Sequence, residues 1–180
     1  MAASETRPWG NAMQVRSAEQ TEIDPLAKVW YEAWHEAHSQ IVPPELTALR
    51  TLESFRDRLQ AALPNVRAVG PFNEPVGFCI VKGSELDQLF VSAQVRGLGV
   101  AAALIADAEA RLAESGVETA WLGCAIGNER AARFYEKCGW IRAGTMVSHL
   151  ETTQGVFPLE VWRFEKRLRQ KGPPGREADV

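Results

Sequence analysis

The sequence predicts an α/β protein of α+β character: a single mixed, largely antiparallel sheet of about seven strands flanked by about four helices. Three observations carry that expectation. A chain of 180 residues and 19.9 kDa has room for one ordinary domain. Its 46% hydrophobic and 24% charged content is that of a globular chain, which excludes collagen-like, disordered and disulfide-scaffold classes. The hydrophobic period then changes from helical to alternating after Pro64, giving the order β-α-α-β-β-β-α-β-α-β-β.

Residues 1–11 are polar and punctuated by glycine and proline, and 169–180 carry no apolar period. Both are expected to be loose, leaving a domain over 12–168. Met13–Arg16 reads as a short strand. Asp24-Pro25 offers an N-cap and a first-turn proline for a helix to about His38, whose stripe is Leu26, Val29, Trp30, Ala33, Trp34 and Ala37. Pro43-Pro44 breaks it, and a second helix from Pro44 to Leu63 carries Leu46, Leu49, Leu52, Phe55 and Leu59. Val66–Val69, Val76–Val81 and Leu86–Val91 form a meander, the last two joined by a turn at Lys82-Gly83-Ser84. Gly99–Ser115 is helical, with Ala101, Leu104, Ile105, Ala108 and Leu112 on one face. Thr119–Ala125 is a strand, Asn128–Cys138 a helix, and Trp140–Leu150 and Val156–Phe164 a closing hairpin.

Twenty basic against 23 acidic residues give a net charge of −3, with no long basic run before the C-terminal tail, so nucleic acid is not an expected partner. No stretch of about 18 apolar residues is present and the first residues lack a secretory apolar core, so a cytoplasmic protein without membrane contact is expected. Cys79, Cys124 and Cys138 show no metal-ligand spacing and read as reduced core residues; no metal is expected.

Two segments carry chemistry. Leu89 to Ala102 runs from a strand through a polar turn and the corner Arg96-Gly97-Leu98-Gly99 into a helix start. Backbone amides at such a corner, backed by the helix dipole, suit a phosphate or pyrophosphate. Gly97-x-Gly99-x-x-Ala102 also fits the loose dinucleotide fingerprint, but it follows a meander instead of opening a βαβ unit, and no Lys-Ser/Thr follows the glycines as a P-loop requires. A plain connecting turn is the bland alternative. The second segment is Asn128-Glu129-Arg130-Ala131-Ala132-Arg133-Phe134-Tyr135-Glu136-Lys137-Cys138-Gly139-Trp140.

Together, Arg96-x-x-Gly99-x-Ala101 and this N-x-x-A-x-x-F-Y-x-K-x-G-W run resemble the GNAT superfamily of acetyl-CoA-dependent N-acetyltransferases, at about the family's separation and element order from Met13 to Leu168. The resemblance implies a GNAT fold whose sheet is split between its fourth and fifth strands, ending at Val91 and Ala125, with the acetyl-CoA arm in the gap. Leu89, Phe90 and Val91 would pair with the pantetheine like an added strand. The amides of Gly97, Leu98, Gly99, Val100, Ala101 and Ala102 would cradle the pyrophosphate, with Arg96 adding charge. Asn128 would hydrogen-bond the pantetheine, Ala131 and Phe134 would wall it, and Tyr135 would protonate the departing thiolate. Read from periodicity alone, Ala131, Phe134 and Cys138 are a core stripe and Tyr135 a packing aromatic.

Amine acetylation also needs a group to take a proton, because an amine of pKa about 10.4 is almost fully protonated at neutral pH. Strict alternation places Glu85, Asp87, Leu89 and Val91 on one strand face, and Glu85 resembles in position the strand glutamate that serves as base in histone-type members. Its alternative is an exposed acid in the turn. His38 is the second candidate base, with an ordinary pKa of about 6.5 suited to the task. Trp30, Trp34, His35 and His38 are candidates for the acceptor side, packing or helix capping being the alternative for the histidines; His149 has no readable role. The expected reaction is direct transfer from acetyl-CoA to an amine of an unidentified small molecule or peptide in a ternary complex, with a homodimer left open. Two other readings stand beside it: a non-catalytic acyl-CoA sensor of the same fold, and a Rossmann-like NAD(P)-binding oxidoreductase.

Overall fold

The computed structural model describes residues 13–170 and 172. The loose segment expected over 1–11 and most of the expected tail lie outside them. Seven strands form one sheet: β1 (Arg16–Ser17), β2 (Val66–Val69), β3 (Gly77–Lys82), β4 (Glu85–Val91), β5 (Thr119–Ala125), β6 (Ile141–Thr152) and β7 (Gly155–Arg167). Their order is β1-β2-β3-β4-β5-β7-β6, antiparallel throughout except for β4 beside β5. Five helices cover it: α1 (Ile23–His38), α2 (Pro44–Leu49), α3 (Leu52–Ala62), α4 (Val100–Glu114) and α5 (Glu129–Lys137).

The alternation of strand side chains divides the core in two. Val66 and Ala68 of β2, with Phe78 and Ile80 of β3, face Leu26, Trp30 and Trp34 of α1, Leu46 of α2, and Phe55 and Leu59 of α3. Their neighbours Val69 and Cys79 face Leu104, Ile105, Ala108 and Leu112 of α4 on the opposite side, where Leu122, Trp140 and Phe164 join them. Helices α1 to α3 therefore lie on one face of the sheet and α4 and α5 on the other.

Three expectations are corrected. The helix expected over 44–63 is broken, because Arg50 leaves helical geometry (φ −88°, ψ 66°) and Thr51 restarts the chain as an N-cap whose hydroxyl accepts from the Ser54 amide at 3.1 Å. The strand expected at Met13–Arg16 shrinks to two paired residues, Arg16 and Ser17. Helix α1 begins before Asp24, following a 3-10 turn over Gln20–Glu22, and Asp24 instead pairs with Arg56 at 2.6 Å.

The entry to α1 rests on a buried ion pair. The Glu22 side chain is fully enclosed, accepts from both terminal nitrogens of Arg16 at 2.8 and 2.7 Å, and also accepts from the amides of Glu19 and Asn73 at 3.0 and 3.1 Å. Arg16 donates further to the Gly70 carbonyl at 3.1 Å, so one cluster joins β1, the start of α1 and the β2–β3 loop. Burial alone would raise the Glu22 pKa, but the Arg16 hydrogen bonds and the two amides outweigh it and hold the carboxyl below its ordinary 4.5.

Replacing Glu22 by Gln keeps the shape and removes the charge that answers Arg16, so urea unfolding at pH 7 is expected to show a loss of about 3 kcal/mol. A carboxyl with a depressed folded-state pKa contributes stability that disappears as pH falls through that value, so the gap between wild type and variant should close below about pH 4. A gap that stays constant from pH 7 to pH 3 would show that the charge on Glu22 is not what holds this corner.

Candidate active site

Strands β4 and β5 share a single bridge, Glu85 with Trp121. The Trp121 amide donates to the Ser84 carbonyl at 3.1 Å and its indole to the Ser84 hydroxyl at 3.2 Å, which closes the narrow end. Beyond it the strands part. The register of β3 on β4 explains why: Ile80 pairs with Gln88 but Val81 pairs with Leu86, so Asp87 is an extra residue on β4. A bulge of this kind bends the strand and increases its twist.

The same bulge corrects the expected face of β4. Leu86 packs with Leu89 and Val91 against the α4 side, whereas Glu85 and Asp87 line cavities on the α1–α3 side, toward which Phe90 also packs. Strict alternation is broken by the inserted residue.

A cavity of about 160 Å³ occupies the opening between the strands, and Glu85, Asp87, His38, Trp34, Asn128 and Tyr135 all reach it. On one side it shares Leu89, Phe90, Asn128, Ala131 and Tyr135 with a cleft of about 440 Å³. On the other it shares Arg58, Glu85, Asp87 and Gln88 with a groove of about 680 Å³ under the β6–β7 hairpin. The structure thus brings Glu85, His38 and Tyr135, which are 47 or more positions apart in pairs with Glu85, to one small space between two larger ones.

The 440 Å³ cleft is lined by every residue expected to hold the acetyl-CoA arm except Leu98, which is 52% exposed and whose amide donates instead to the Val95 carbonyl at 3.3 Å. Gly97 and Gly99 have φ of +77° and +84°, and a Cβ at either would meet nothing within 4 Å, so the corner is an open concavity that only glycine occupies without strain. Ala103 makes the first backbone bond of α4, to the Gly99 carbonyl at 3.0 Å, leaving the amides of Val100, Ala101 and Ala102 without backbone acceptors. The remaining wall, from Ala33, Ala37, Val91, Ala131 and Phe134, is apolar. Anion-binding amides at one end and an apolar channel leading to the split suit a long ligand with a phosphorylated head.

Arg96 is not a free charge at this mouth. Its guanidinium forks onto Glu36 of α1, with Nη1 at 2.8 Å from Oε1, and Arg130 of α5 approaches the same carboxylate at 3.5 Å. The Arg96 hydrogen bond is the main reason the Glu36 carboxyl sits below its ordinary range. Asn128 is also occupied in part: its side-chain oxygen caps α5 by accepting from the Ala131 amide at 3.3 Å, which leaves its amide nitrogen to donate elsewhere.

Around the small cavity the titrating groups differ. Burial, reinforced by the neighbouring Asp87 carboxylate, pushes Glu85 up to about 7 despite Lys82 and Arg163. Asp87 is raised by burial as well, against the opposing charge of Arg58. His38 departs from expectation, because burial draws its pKa down to about 4. Its Nδ1 is 2.9 Å from the Trp34 carbonyl, which makes Nδ1 the protonated nitrogen and leaves Nε2 as an acceptor. Burial raises the Tyr135 phenol well above its usual range. Its ring packs among Phe134, Trp140 and Phe164 at 5.5 to 6.4 Å, while its hydroxyl bonds to no described residue.

The other candidates divide. Trp34 lines the small cavity and stacks on His38 at 5.0 Å. Trp30 is a core residue, 1% exposed and packed on Phe55 and Phe78, and it reaches the large groove only beneath the Arg58 guanidinium, 4.3 Å over its ring. His35 lines none of the three spaces; its Nε2 bonds to the Arg50 carbonyl at 2.7 Å and fastens α1 to the α2–α3 junction. His149 lines the large groove. Sequence reasoning missed Arg50, Arg58, Glu36 and Arg130. A charged residue set between Phe55 and Leu59 on a buried helix edge was the available signal for Arg58.

Cys79 and Cys124 are buried thiols pushed up to about 12 by desolvation, while Cys138 is partly exposed, not fully in the core. Among the described residues no group of three or more His, Cys, Asp or Glu is placed to hold a metal, and no helix is long and apolar enough to cross a membrane.

Comparison with known proteins agrees with this fold. The chain is 28% identical over 147 residues to the peptidyl-lysine N-acetyltransferase YjaB of Escherichia coli strain K12, covering 82% of this chain and 93% of YjaB. The solution structure of apo YjaB superposes with a TM-score of 0.60 at 24% identity, covering 84% and 95% of the two chains. A GCN5-related N-acetyltransferase from Rhodopseudomonas palustris superposes at 0.67 and 19% identity, covering 86% and 94%. The PaiA N-acetyltransferase of Thermoplasma acidophilum, solved with coenzyme A, superposes at 0.59 and 17%, covering 86% and 98%. The acetyltransferase (GNAT) family model matches residues 26–140, more than half of the chain, and the protein belongs to that family of N-acetyltransferases.

Proposed function

We propose that this protein transfers the acetyl group of acetyl-CoA directly to an amine in a ternary complex, with Glu85 taking the amine proton and Tyr135 supplying one to the departing sulfur. The observation that carries the reading is that Glu85 and Tyr135 line the same 160 Å³ cavity, each shared with a different flanking space. The 440 Å³ cleft fits the phosphorylated arm of acetyl-CoA on its own features, namely the open glycine corner, the unbonded amides of α4 and the apolar walls. Acetyl-CoA supplies an activated acetyl thioester, whose C–S bond breaks as the C–N bond forms.

The residues then divide the proton work. A carboxyl with a pKa of about 7 is half ionised at neutral pH, so it can accept the proton that the nitrogen sheds as the C–N bond forms and release it again. Asp87 maintains that basicity through its nearby charge. Tyr135 stays protonated because of its burial, and a phenol can pass its proton to a thiolate and recover one from solvent or the released acid. His38, drawn down to about 4, is a neutral acceptor at Nε2 and serves as a relay or a contact for the amine instead of the principal base. YjaB bears the name of a peptidyl-lysine enzyme, and a groove of 680 Å³ bordered by Glu85 and Asp87 is compatible with an ammonium-bearing acceptor.

Acetyl-CoA at about 100 times Kd should add about 2.7 kcal/mol to stability, and NADH should add nothing. Gly99→Val, which places a branched side chain at a φ of +84° in the open corner, should abolish the shift. Equal stabilisation by both ligands would place this chain outside acetyl-CoA chemistry.

Tyr135→Phe keeps the packed ring and should lower kcat by about 10² to 10⁴ with little change in acetyl-CoA affinity. A wild-type kcat, measured where chemistry limits turnover, would return Tyr135 to a packing role. For Glu85, kcat/KM should rise through an ionisation near 7 that Glu85→Gln lacks. Because its folded-state pKa is raised, ionising Glu85 weakens the fold progressively from pH 4.5 to about 7, so Glu85→Gln should be the more stable protein at pH 8 and not at pH 4. Parallel stability curves for the two proteins would show that Glu85 titrates normally.

A further inference from the structure

We propose that the acceptor is a zwitterion, a small amine carrying its own carboxylate, whose anionic end is held by Arg58 with Arg50 while its nitrogen lies toward Glu85 and Asp87. The inference rests on the acetyltransferase reading and names the class of acceptor within it.

Arg50 is 3% exposed and lines the small cavity from the break between α2 and α3. Its Nη1 donates to the Glu151 carbonyl at 2.9 Å, but its buried Nε has no partner. Arg58, one helix on, sits over the Trp30 ring at 4.3 Å and borders both the small cavity and the large groove. Among the described residues neither arginine makes an ion pair, although seven other arginines do. Glu85 and Asp87 line the same cavity and make none either. Asp87 and Glu151 act on Arg58 through space without contact, and Arg50 opposes it.

Two guanidiniums and two carboxyls thus share one partly dehydrated space, and no pair among them has closed. Burial of charge is unfavourable unless it is answered by a partner. A simple amine would answer the carboxyls and leave both guanidiniums facing it unmatched. An amine that also carries a carboxylate answers both sets at once, and the planar forks of arginine match a carboxylate in two parallel hydrogen bonds. The contact with the Trp30 ring holds the Arg58 guanidinium at the border of the cavity before any ligand arrives. The small volume of the cavity admits the reacting amine with a short spacer, and the larger groove takes whatever side chain the acceptor has.

The test compares amino acids with their own carboxamides, which keep the amine and lose the charge, alongside an internal-lysine peptide, with rates corrected to free amine. Binding of each to the CoA-loaded protein is measured separately by calorimetry. The expected result is at least a tenfold preference for the acids in both binding and kcat/KM, expressed in KM. Arg58→Gln should collapse the acid-to-amide ratio toward one and Arg58→Lys should restore part of it, with the CoA-induced stabilisation of each variant reporting that it is folded. Carboxamides bound as well as acids, no binding of any acid, or an Arg58→Gln ratio equal to wild type would each overturn the proposal. Turnover of the peptide or the carboxamides in that case leaves the acetyltransferase reading intact. Acids that bind selectively but are never acetylated would support the acceptor pocket and overturn the activity instead.

Discussion

One inserted residue on β4, Asp87, is the constraint from which the rest of the site follows. An added residue bends the strand and increases its twist, which works against a continuous register of β4 along β5. With it the two strands meet only at Glu85 and Trp121, the strand edge toward β5 is left without a partner, and the space between becomes a cavity walled by both cores. The bulge also reverses which face each residue of the strand's first half occupies. Leu86 enters the apolar core beneath α4, and two carboxyls are turned to the opposite side, where α1 and α3 enclose them.

That placement works against stability and in favour of chemistry. A carboxyl partly removed from water beside another carboxyl resists ionisation, and the folded protein bears the unfavourable energy of charging it at neutral pH. The contrast with Glu22 is instructive. Glu22 is fully enclosed and Glu85 only partly, but Glu22 is surrounded by an arginine and two amides and is drawn below its ordinary pKa, whereas Glu85 is given no such donors and is drawn above it. The same physical penalty, compensated in one place and left open in the other, yields a structural clasp in the first case and a titrating group in the second. Tyr135 and His38 follow the second pattern, since burial keeps the phenol protonated and the imidazole neutral.

The elements and the residues that line the 440 Å³ cleft are legible in the sequence because they depend on local signals: two glycines where the backbone must take positive φ, and a helix whose N-cap and aromatic pair lie in one continuous run. The bulge was not legible. Nothing in Glu85-Leu86-Asp87-Gln88 marks which residue is extra, since that is decided by the register against β3, so strict alternation puts Glu85 on the wrong face. The break at Arg50 was missed because Leu46, Leu49, Leu52 and Phe55 keep a helical period straight through it, with only Thr51 as a cap signal. His38 was given an ordinary pKa because burial depends on the packing of Trp34 and Phe90 around it, which no local pattern encodes. Arg96 is expected to add charge beside the corner's amides, and the Glu36 partner that engages it lies 60 residues away, beyond the reach of any local pattern.

The claim that the open edge of β4 is where acetyl-CoA lies can be measured directly by amide hydrogen exchange with and without the ligand. The account predicts that acetyl-CoA slows exchange at Leu89–Val91 on β4 and at Gly97–Ala102 at the start of α4, while β1, β6 and the outer face of α4 are unchanged. Protection that spares β4 and the α4 corner and falls elsewhere on the sheet would contradict it.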